Sequence, residues 1–290
     1  MSTGLVTETH RRHFEVELPD GGTLTCAAMG RKLSPVCGDI VDFVLQGDQV
    51  PQQGIVTAVQ PRRSELARAD AYKQKIIAAN VTLVLGVVAV QPAFNPELID
   101  RWTVASEAAG CRFALVLNKM DLPEADAVRA SLERYVVLGY PLVALSAKQD
   151  IDKLRPLLSG EHSVLVGQSG MGKSTMINEL LGFDRAKTGD ISASLNAGKH
   201  TTTATRLHRL DASTWIIDSP GMKEFGVHQF AGGGLDDAFV EFRPFVGKCR
   251  FRDCTHEHEP QCAIRDAVAV GKIAASRVET YHRLRREVAV

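Results

Sequence analysis

Apolar and polar positions alternate at short intervals over the first 65 residues, and turn-forming clusters interrupt the alternation. Residues 13–18, 23–28, 39–45 and 54–59 read as strands, divided by Pro19-Asp20-Gly21-Gly22, Ser34-Pro35 and Gln46-Gly47-Asp48. Short strands this close in sequence predict a closed β-barrel of the oligonucleotide-binding (OB) type, or a generic five-stranded barrel that carries no ligand. From residue 72 the pattern changes. Residues 81–90 form an unbroken apolar run, as expected of a strand covered on both faces. Asn95 and Pro96 then supply an N-cap and a first-turn proline, and Gly110 ends the helix they open. Buried-strand runs recur at 113–117, 142–145, 164–166 and 215–217, with helix-length segments between most of them. This alternation predicts a three-layer α/β domain with a mainly parallel sheet. Past Gly232-Gly233-Gly234 the composition shifts again. Residues 276–290 place Val278, Tyr281, Leu284 and Val288 on one helical face, with Arg277, Arg283, Arg285 and Arg286 around them. That helix is expected either to pack on its own domain with a solvated outer face or to face RNA.

Length and composition bound the reading. The chain has 290 residues, room for about two or three domains. Formal net charge is zero, so affinity for a polyanion has to come from a local patch. Residues 1–75 hold nine Lys/Arg and nine Asp/Glu, which makes any basic barrel surface a matter of clustering among Arg11, Arg12, Arg31, Lys32, Arg62 and Arg63. Residues 243–290 carry ten Lys/Arg against six Asp/Glu. The chain opens without a signal-peptide pattern, and its longest apolar run is too short to span a bilayer, so a cytoplasmic protein with no membrane partner is expected. In a reducing compartment the six cysteines are not a disulfide framework. Cys26, Cys37 and Cys111 read as small core residues.

The chemistry sits in a few motifs. Gly167-Gln168-Ser169-Gly170-Met171-Gly172-Lys173-Ser174, continued by Thr175, follows the strand at 164–166 and opens a helix, the context a phosphate-binding loop requires. Its glycines let backbone N–H groups curl around phosphate oxygens, and the helix N-terminus adds its dipole. Lys173 would reach the β and γ phosphates and Ser174 would ligate Mg²⁺. Asn118-Lys119-Met120-Asp121 lies at the carboxyl end of the strand at 113–117, where ligands bind in open α/β sheets. An Asp121 carboxylate can accept from guanine N1–H and the 2-amino group together, whereas adenine would leave it unpaired. Ser146-Ala147-Lys148 matches a second base-contacting loop after the strand at 142–145. These place GTP or GDP, not ATP, in the site. One threonine of Thr201-Thr202-Thr203, taken as Thr202, would complete the Mg²⁺ shell; Asp218 would hold the metal through water and the Gly221 amide would meet the γ-phosphate. Met222 stands where many GTPases carry a water-orienting glutamine. His200 is the internal candidate to orient water, the alternative being a solvent-exposed histidine; Lys173 and Thr202 join it as candidate catalytic residues.

The base-reading motif precedes the phosphate loop, the reverse of the usual order, so the expected central domain is a circularly permuted GTPase. Cys249, Cys254, His256 and Cys262 form a C-x4-C-x-H-x5-C cluster whose three thiolates and imidazole suit one structural Zn²⁺ per chain, with His258 a competing ligand. The expected organisation is thus multidomain α/β: an OB barrel over 1–65, the permuted GTPase domain over 66–230, and a zinc-binding helical domain with a C-terminal helix over 231–290.

The whole set, from the barrel and Pro61-Arg62-Arg63-Ser64-Glu65-Leu66-Ala67-Arg68 to the zinc knot, resembles one family, the circularly permuted, ribosome small-subunit-dependent GTPases of bacteria known as RsgA. The resemblance implies a late-acting factor in maturation of the small ribosomal subunit, with rRNA as its binding surface; a monomer is expected. In that family barrel and zinc domain both meet the ribosome, which stimulates GTP hydrolysis; a hydrophobic residue replaces the glutamine, as Met222 does; and a histidine at the position of His200 has been proposed as catalytic. A GTP-sensing rRNA adaptor with little intrinsic hydrolysis is the alternative, and Met222 is its support. Because permutation makes the zinc domain the continuation of 221–234, a switch movement is expected to reach it directly.

Overall fold

In this computed structural model, which describes residues 2–10, 13–30, 32–47, 52–68, 75–188 (side chains to 182), 205–218, 225–226, 230 and 233–288, eleven strands form one continuous sheet. One end of it rolls up into a barrel. The barrel strands are β1 (Ser2–Thr9), β2 (Phe14–Glu17), β3 (Thr23–Ala28), β4 (Ile40–Leu45) and β5 (Gln53–Val59). They run β1-β2-β3-β5-β4, and the ring shuts where β4 returns antiparallel to β1, with Ile40 opposite Leu5 and Phe43 opposite Ser2. Val6, Val16, Leu24, Cys26, Val41, Phe43 and Val56 fill it. β1 lies outside the strands expected from the sequence, because only Gly4, Leu5 and Val6 of its eight residues are buried and no alternation announces it.

The hairpin β6 (Glu65–Arg68) and β7 (Lys75–Ala79) leads into the central layer. There β8 (Leu83–Ala89), β9 (Arg112–Asn118), β10 (Leu142–Ala144), β11 (His162–Val166) and β13 (Trp215–Asp218) lie parallel in the order β10-β9-β8-β11-β13. β12 (Thr205–Arg209) adds an antiparallel edge beside β13. Helices α1 (Pro96–Ala108), α2 (Ala125–Val137), α3 (Ala147–Asp150), α4 (Arg155–Leu158) and α5 (Lys173–Thr188) connect the strands, with a 3-10 turn over Ile151–Leu154. As expected, Asn95 caps α1, its side-chain oxygen accepting from Glu97 N at 3.0 Å. Every residue of β8 is buried. Its alternate side chains serve two cores, Val84 and Val88 facing Trp102 and Leu115, Leu83 and Leu85 facing Met176 and Leu180. The chain steps outward from β8 to β10 and then starts again at β11 on the other side. The crevice for a ligand therefore opens at the carboxyl ends of β8 and β11.

The β12 edge is covered: Thr205 and Arg206 pair antiparallel with Thr9 and Glu8 of β1. Barrel and central sheet are one ladder.

The last unit contains α6 (Leu235–Ala238), α7 (Ala263–Ala269) and α8 (Ala275–Val288). Phe239, Phe242, Ile264, Tyr281 and Leu284 make its core, together with Val104 of α1. The C-terminal helix does pack on its own unit, but Arg277 departs from the expected surface array. It is only 2% exposed. Its guanidinium donates to Asp100 Oδ1 at 2.9 Å, to Thr103 Oγ1 at 3.3 Å and to Glu241. Asp100 in turn accepts from Thr280 Oγ1 at 2.9 Å and the Tyr135 hydroxyl at 2.8 Å. Two buried carboxylates and several hydroxyls thus satisfy one buried cation, the condition for such a group to be tolerated. Burial opposes the charge of Arg277, yet Asp100 and Glu241 raise its pKa above the ordinary value.

Candidate functional site

Four of the sequence motifs meet at the carboxyl edge of the parallel strands. Asn118 ends β9, Ser146 follows β10, Gly167 follows β11 and Asp218 ends β13. The loops are tied to one another. Asn118, 3% exposed, donates from Nδ2 to the Met171 carbonyl at 2.9 Å and accepts from Ala147 N at 3.0 Å. Lys119, at φ +64, sends its ammonium to the carbonyls of Gly170 (2.9 Å) and Gln91 (2.6 Å). Met120 N donates to Leu145 O at 3.3 Å. Asp121 accepts from Ser146 Oγ at 2.6 Å, and this bond, followed by its local backbone bond and the charges of Lys119 and Lys148, holds the carboxyl below its usual range. It is ionised at neutral pH and presents an acceptor.

The phosphate loop spans β11 and α5. Met171 is 1% exposed and anchors the loop in the core beneath it. Gly172 has φ +97, and a Cβ there would meet Asn118 Nδ2 at 2.2 Å. Only glycine lets the base loop come so near. A Cβ at Gly167 would meet the Val87 carbonyl at 2.4 Å, so this residue too has no room for a side chain. Lys173 Nζ lies along the loop, donating to the carbonyls of Gly167 (2.6 Å) and Gln168 (3.0 Å). Gln168 accepts from Asn95 N at 2.9 Å, which joins the loop to the start of α1. Ser169 and Ser174 are exposed at the mouth, Thr175 half-buried behind them. Burial raises the carboxyl of Asp218 above its ordinary value, with Lys173 pulling it back down. His200, Thr201-Thr202-Thr203, Gly221 and Met222 lie outside the described residues, as do Arg11, Arg12 and Arg31.

The second cluster is at the other end of the chain. One ligand atom from each of Cys249, Cys254, His256 and Cys262 lies within 4.8 Å of the others. His256 Nδ1 is 3.3 Å from Cys262 Sγ and 3.6 Å from Cys249 Sγ, and those two sulfurs are 3.9 Å apart. Tetrahedral ligands at zinc distances are separated by about 3.5–3.7 Å, so the donor set fits that ion. His258 is exposed and stands outside the cluster. Beyond the ring, His256 Nε2 is 3.4 Å from Asp236 Oδ2, and the Tyr281 hydroxyl donates to Asp236 Oδ1 at 2.6 Å. That outer pair turns Nδ1 toward the thiols.

The RsgA GTPase family model matches residues 59–228. The chain belongs to the RsgA GTPase family. Among curated relatives, the small ribosomal subunit biogenesis GTPase RsgA of Nitrosomonas europaea is 44% identical over 287 residues, 97% of this chain and 90% of its own. The Neisseria meningitidis protein of the same name is 44% identical over 277 residues, covering 95% of this chain and 89% of that one. Among solved structures, YjeQ from Thermotoga maritima superposes with a TM-score of 0.69 at 29% identity, over 99% of this chain and 98% of that chain. YloQ, a circularly permuted GTPase, gives 0.72 at 24% identity over 99% and 95%, a likeness of fold. This RsgA-family chain is accordingly a GTP-hydrolysing enzyme with a circularly permuted GTPase fold, an OB-like barrel and a three-cysteine, one-histidine cluster able to hold zinc.

Three features of this family member escaped the sequence. The 91–95 loop walls the phosphate loop through Gln91 and Asn95, contacts no motif spacing encodes. Asp236 and Tyr281 support His256 from 20 and 25 residues away in the chain, again with no local pattern. Arg62, taken as a candidate for an RNA-binding cluster, is instead committed to Asp39 (2.7 and 2.8 Å) and Glu65 (3.0 Å) at the barrel base. Arg63 and Lys32 are exposed.

Proposed function

We propose that this chain is a GTP hydrolase acting late in maturation of the small ribosomal subunit, with rRNA as its binding surface, nucleotide state controlling docking and release, and the subunit stimulating hydrolysis. The observation that carries the reading is the junction of Asn118 and Lys119 with Met171 and Gly170, which brings the two distant motif segments together at one edge of the sheet. The relatives' names, small ribosomal subunit biogenesis GTPase, supply the setting. Asp121 reads the guanine edge, with Asn118, Lys119, Met120, Ser146, Ala147 and Lys148 shaping that half. Residues 167–175 cradle the phosphates, and Lys173 neutralises charge that develops on the β and γ oxygens. Ser174 and Thr202 would hold Mg²⁺, Asp218 would support it through water, and the Gly221 amide would meet the γ-phosphate. When bound, that ion draws charge from the phosphate oxygens. His200 orients the attacking water, a role Met222 cannot fill. One Zn²⁺ on Cys249, Cys254, His256 and Cys262 stabilises a segment with few core residues.

The divisions at 1–65, 66–230 and 231–290 belong to the same proposal: one buried core lies wholly in the first, one wholly in the second and one mainly in the third, while a further core carries Leu5 and Cys37 of the barrel in among the central residues. So does action as a cytoplasmic monomer, which sedimentation checks. The test is multiple-turnover phosphate release with and without purified small subunits. Stimulation of tenfold or more is expected, roughly 1.4 kcal/mol off the barrier; release that ignores the subunit sinks the proposal.

A further inference from the structure

Ser146 occupies the N-cap of α3, where a serine ordinarily turns its hydroxyl onto a backbone N–H two or three residues ahead. Here the hydroxyl is engaged elsewhere. Ser146 Oγ donates to Asp121 Oδ1 at 2.6 Å and accepts from Asp121 N at 3.0 Å, and no side-chain cap closes the helix start. Asp150 fixes the serine in that posture. Its Oδ1 accepts from Ser146 N at 2.6 Å, while Gln149 N and Asp150 N donate to the Ser146 carbonyl at 2.8 and 3.0 Å. The other Asp150 oxygen pairs with Lys153. The geometry is that of a capping box whose acid has moved one position along the helix.

We propose that Asp150 is a positioning residue for guanine selection, holding the Ser146 backbone so that the serine hydroxyl stays on the base-reading carboxylate of Asp121. The inference rests on Asp121 being the guanine partner. As placed, the Ser146 hydroxyl bonds Asp121 and none of the N–H groups of its own helix. Released from Asp150, Ser146 returns to capping its own helix and leaves Asp121 one hydrogen bond poorer and free to swing. Asn118 holds the neighbouring Ala147 N–H at 3.0 Å, so the loss falls on the carboxylate and spares the rest of the loop. Guanine specificity is in this way set partly by a residue that no base-reading motif contains.

Asp150→Ala and Asp150→Asn in the full chain test it, through dissociation constants for GDP and for inosine diphosphate, which lacks the 2-amino group. Asp150→Ala weakens GDP about tenfold, the scale of one hydrogen bond to a charged group. It also narrows the preference for GDP over inosine diphosphate, and it leaves kcat at saturating GTP within about twofold. Asp150→Asn keeps the acceptor oxygen and binds like wild type. In a Ser146→Ala background Asp150→Ala adds little, because both act on one bond. An unchanged GDP to inosine diphosphate ratio, an equal loss in Asp150→Asn, or full additivity with Ser146→Ala overturns the proposal. Asp121→Asn probes the underlying reading separately. A variant that still prefers GDP to xanthosine diphosphate rejects Asp121 as the guanine partner, whereas a xanthine switch beside a silent Asp150→Ala rejects the positioning role alone.

Discussion

The side-chain amide of Asn118 donates to the main-chain carbonyl of Met171 across 53 residues of sequence, at 2.9 Å. In the chain the base loop comes first and the phosphate loop second, yet the bond is indifferent to that order. What it needs is two parallel strands whose carboxyl ends open on the same edge, and β9 and β11 flank β8 in that way. Permutation changes which loops are cut and leaves the edge intact.

Gly172→Ala tests that junction. The new methyl has nowhere to go, with Asn118 Nδ2 at 2.2 Å and φ at +97. Melting temperature should fall, by about 1–3 kcal/mol of stability, and GDP affinity should fall with it. Gly182→Ala is the contrast, since nothing lies within 4 Å of its added methyl and it sits inside α5. There the helix gains roughly 0.5–1 kcal/mol, so the two substitutions move the thermal midpoint in opposite directions.

Asp218 gives a pH signature. Burial raises its carboxyl above the ordinary 3.8 despite the nearby Lys173. The folded chain therefore keeps this proton to higher pH than the unfolded chain does. Its contribution to stability is lost as pH climbs from below 3.8 through the folded value. Asp218→Asn removes the penalty of ionising in place. The nucleotide-free variant should melt above wild type at neutral pH, and the gap should close as pH drops to 3.8 and below. Hydrolysis should be lost in the same variant. Melting curves across pH, set beside phosphate release, check both halves.

The zinc cluster predicts a different pH slope. Thiolates and a neutral imidazole are the ligand forms, so metal retention should weaken as pH falls. Emission spectroscopy should find one zinc per chain, and a strong chelator should lower the melting temperature and expose the Cys249, Cys254 and Cys262 thiols to a reporter reagent. Cys26, Cys37 and Cys111 are buried elsewhere, at 1%, 0% and 6% exposure, and should stay unreactive in the folded state. Asp236→Ala should loosen the metal about tenfold or more without removing a ligand, because His256 Nε2 loses its outer acceptor.

Arg277→Ala should destabilise strongly, by about 3–5 kcal/mol, since it strands the buried carboxylates of Asp100 and Glu241. Denaturant melts check the size. The network binds α8 to α1, so any displacement of the zinc unit on nucleotide turnover carries α1 with it or breaks these bonds. Proline is a poor probe of Gly233 and Gly234, whose φ values of +105 and +86 exclude it. Arg277 is the better handle on motion there.

Much of the fold is legible in the sequence because the central strands are apolar throughout, as in β8, and because nucleotide chemistry demands fixed residues at strand ends. The unexpected strands are the half-polar ones. β12 buries only Leu207 among Thr, Arg and His, and β6 and β7 are short, with charged residues at their ends. Arg277 is instructive. It stands four residues before Tyr281 and seven before Leu284, on the same helical stripe, so its burial was written in the spacing. Its charge made it look like one of the surface arginines. Partners such as Asp100 lie too far off in sequence to be paired with it by pattern.

Besides its hairpin partner β2, β1 serves two further neighbours, closing the barrel through β4 and shielding the flank of β12. A shortened protein that begins after residue 9 would leave both flanks bare, one of them immediately downstream of the threonine run. Bare strand flanks recruit other chains. Removing these few residues should therefore convert a well-behaved solution into one that self-associates, through the very border where the barrel hands over to the catalytic sheet.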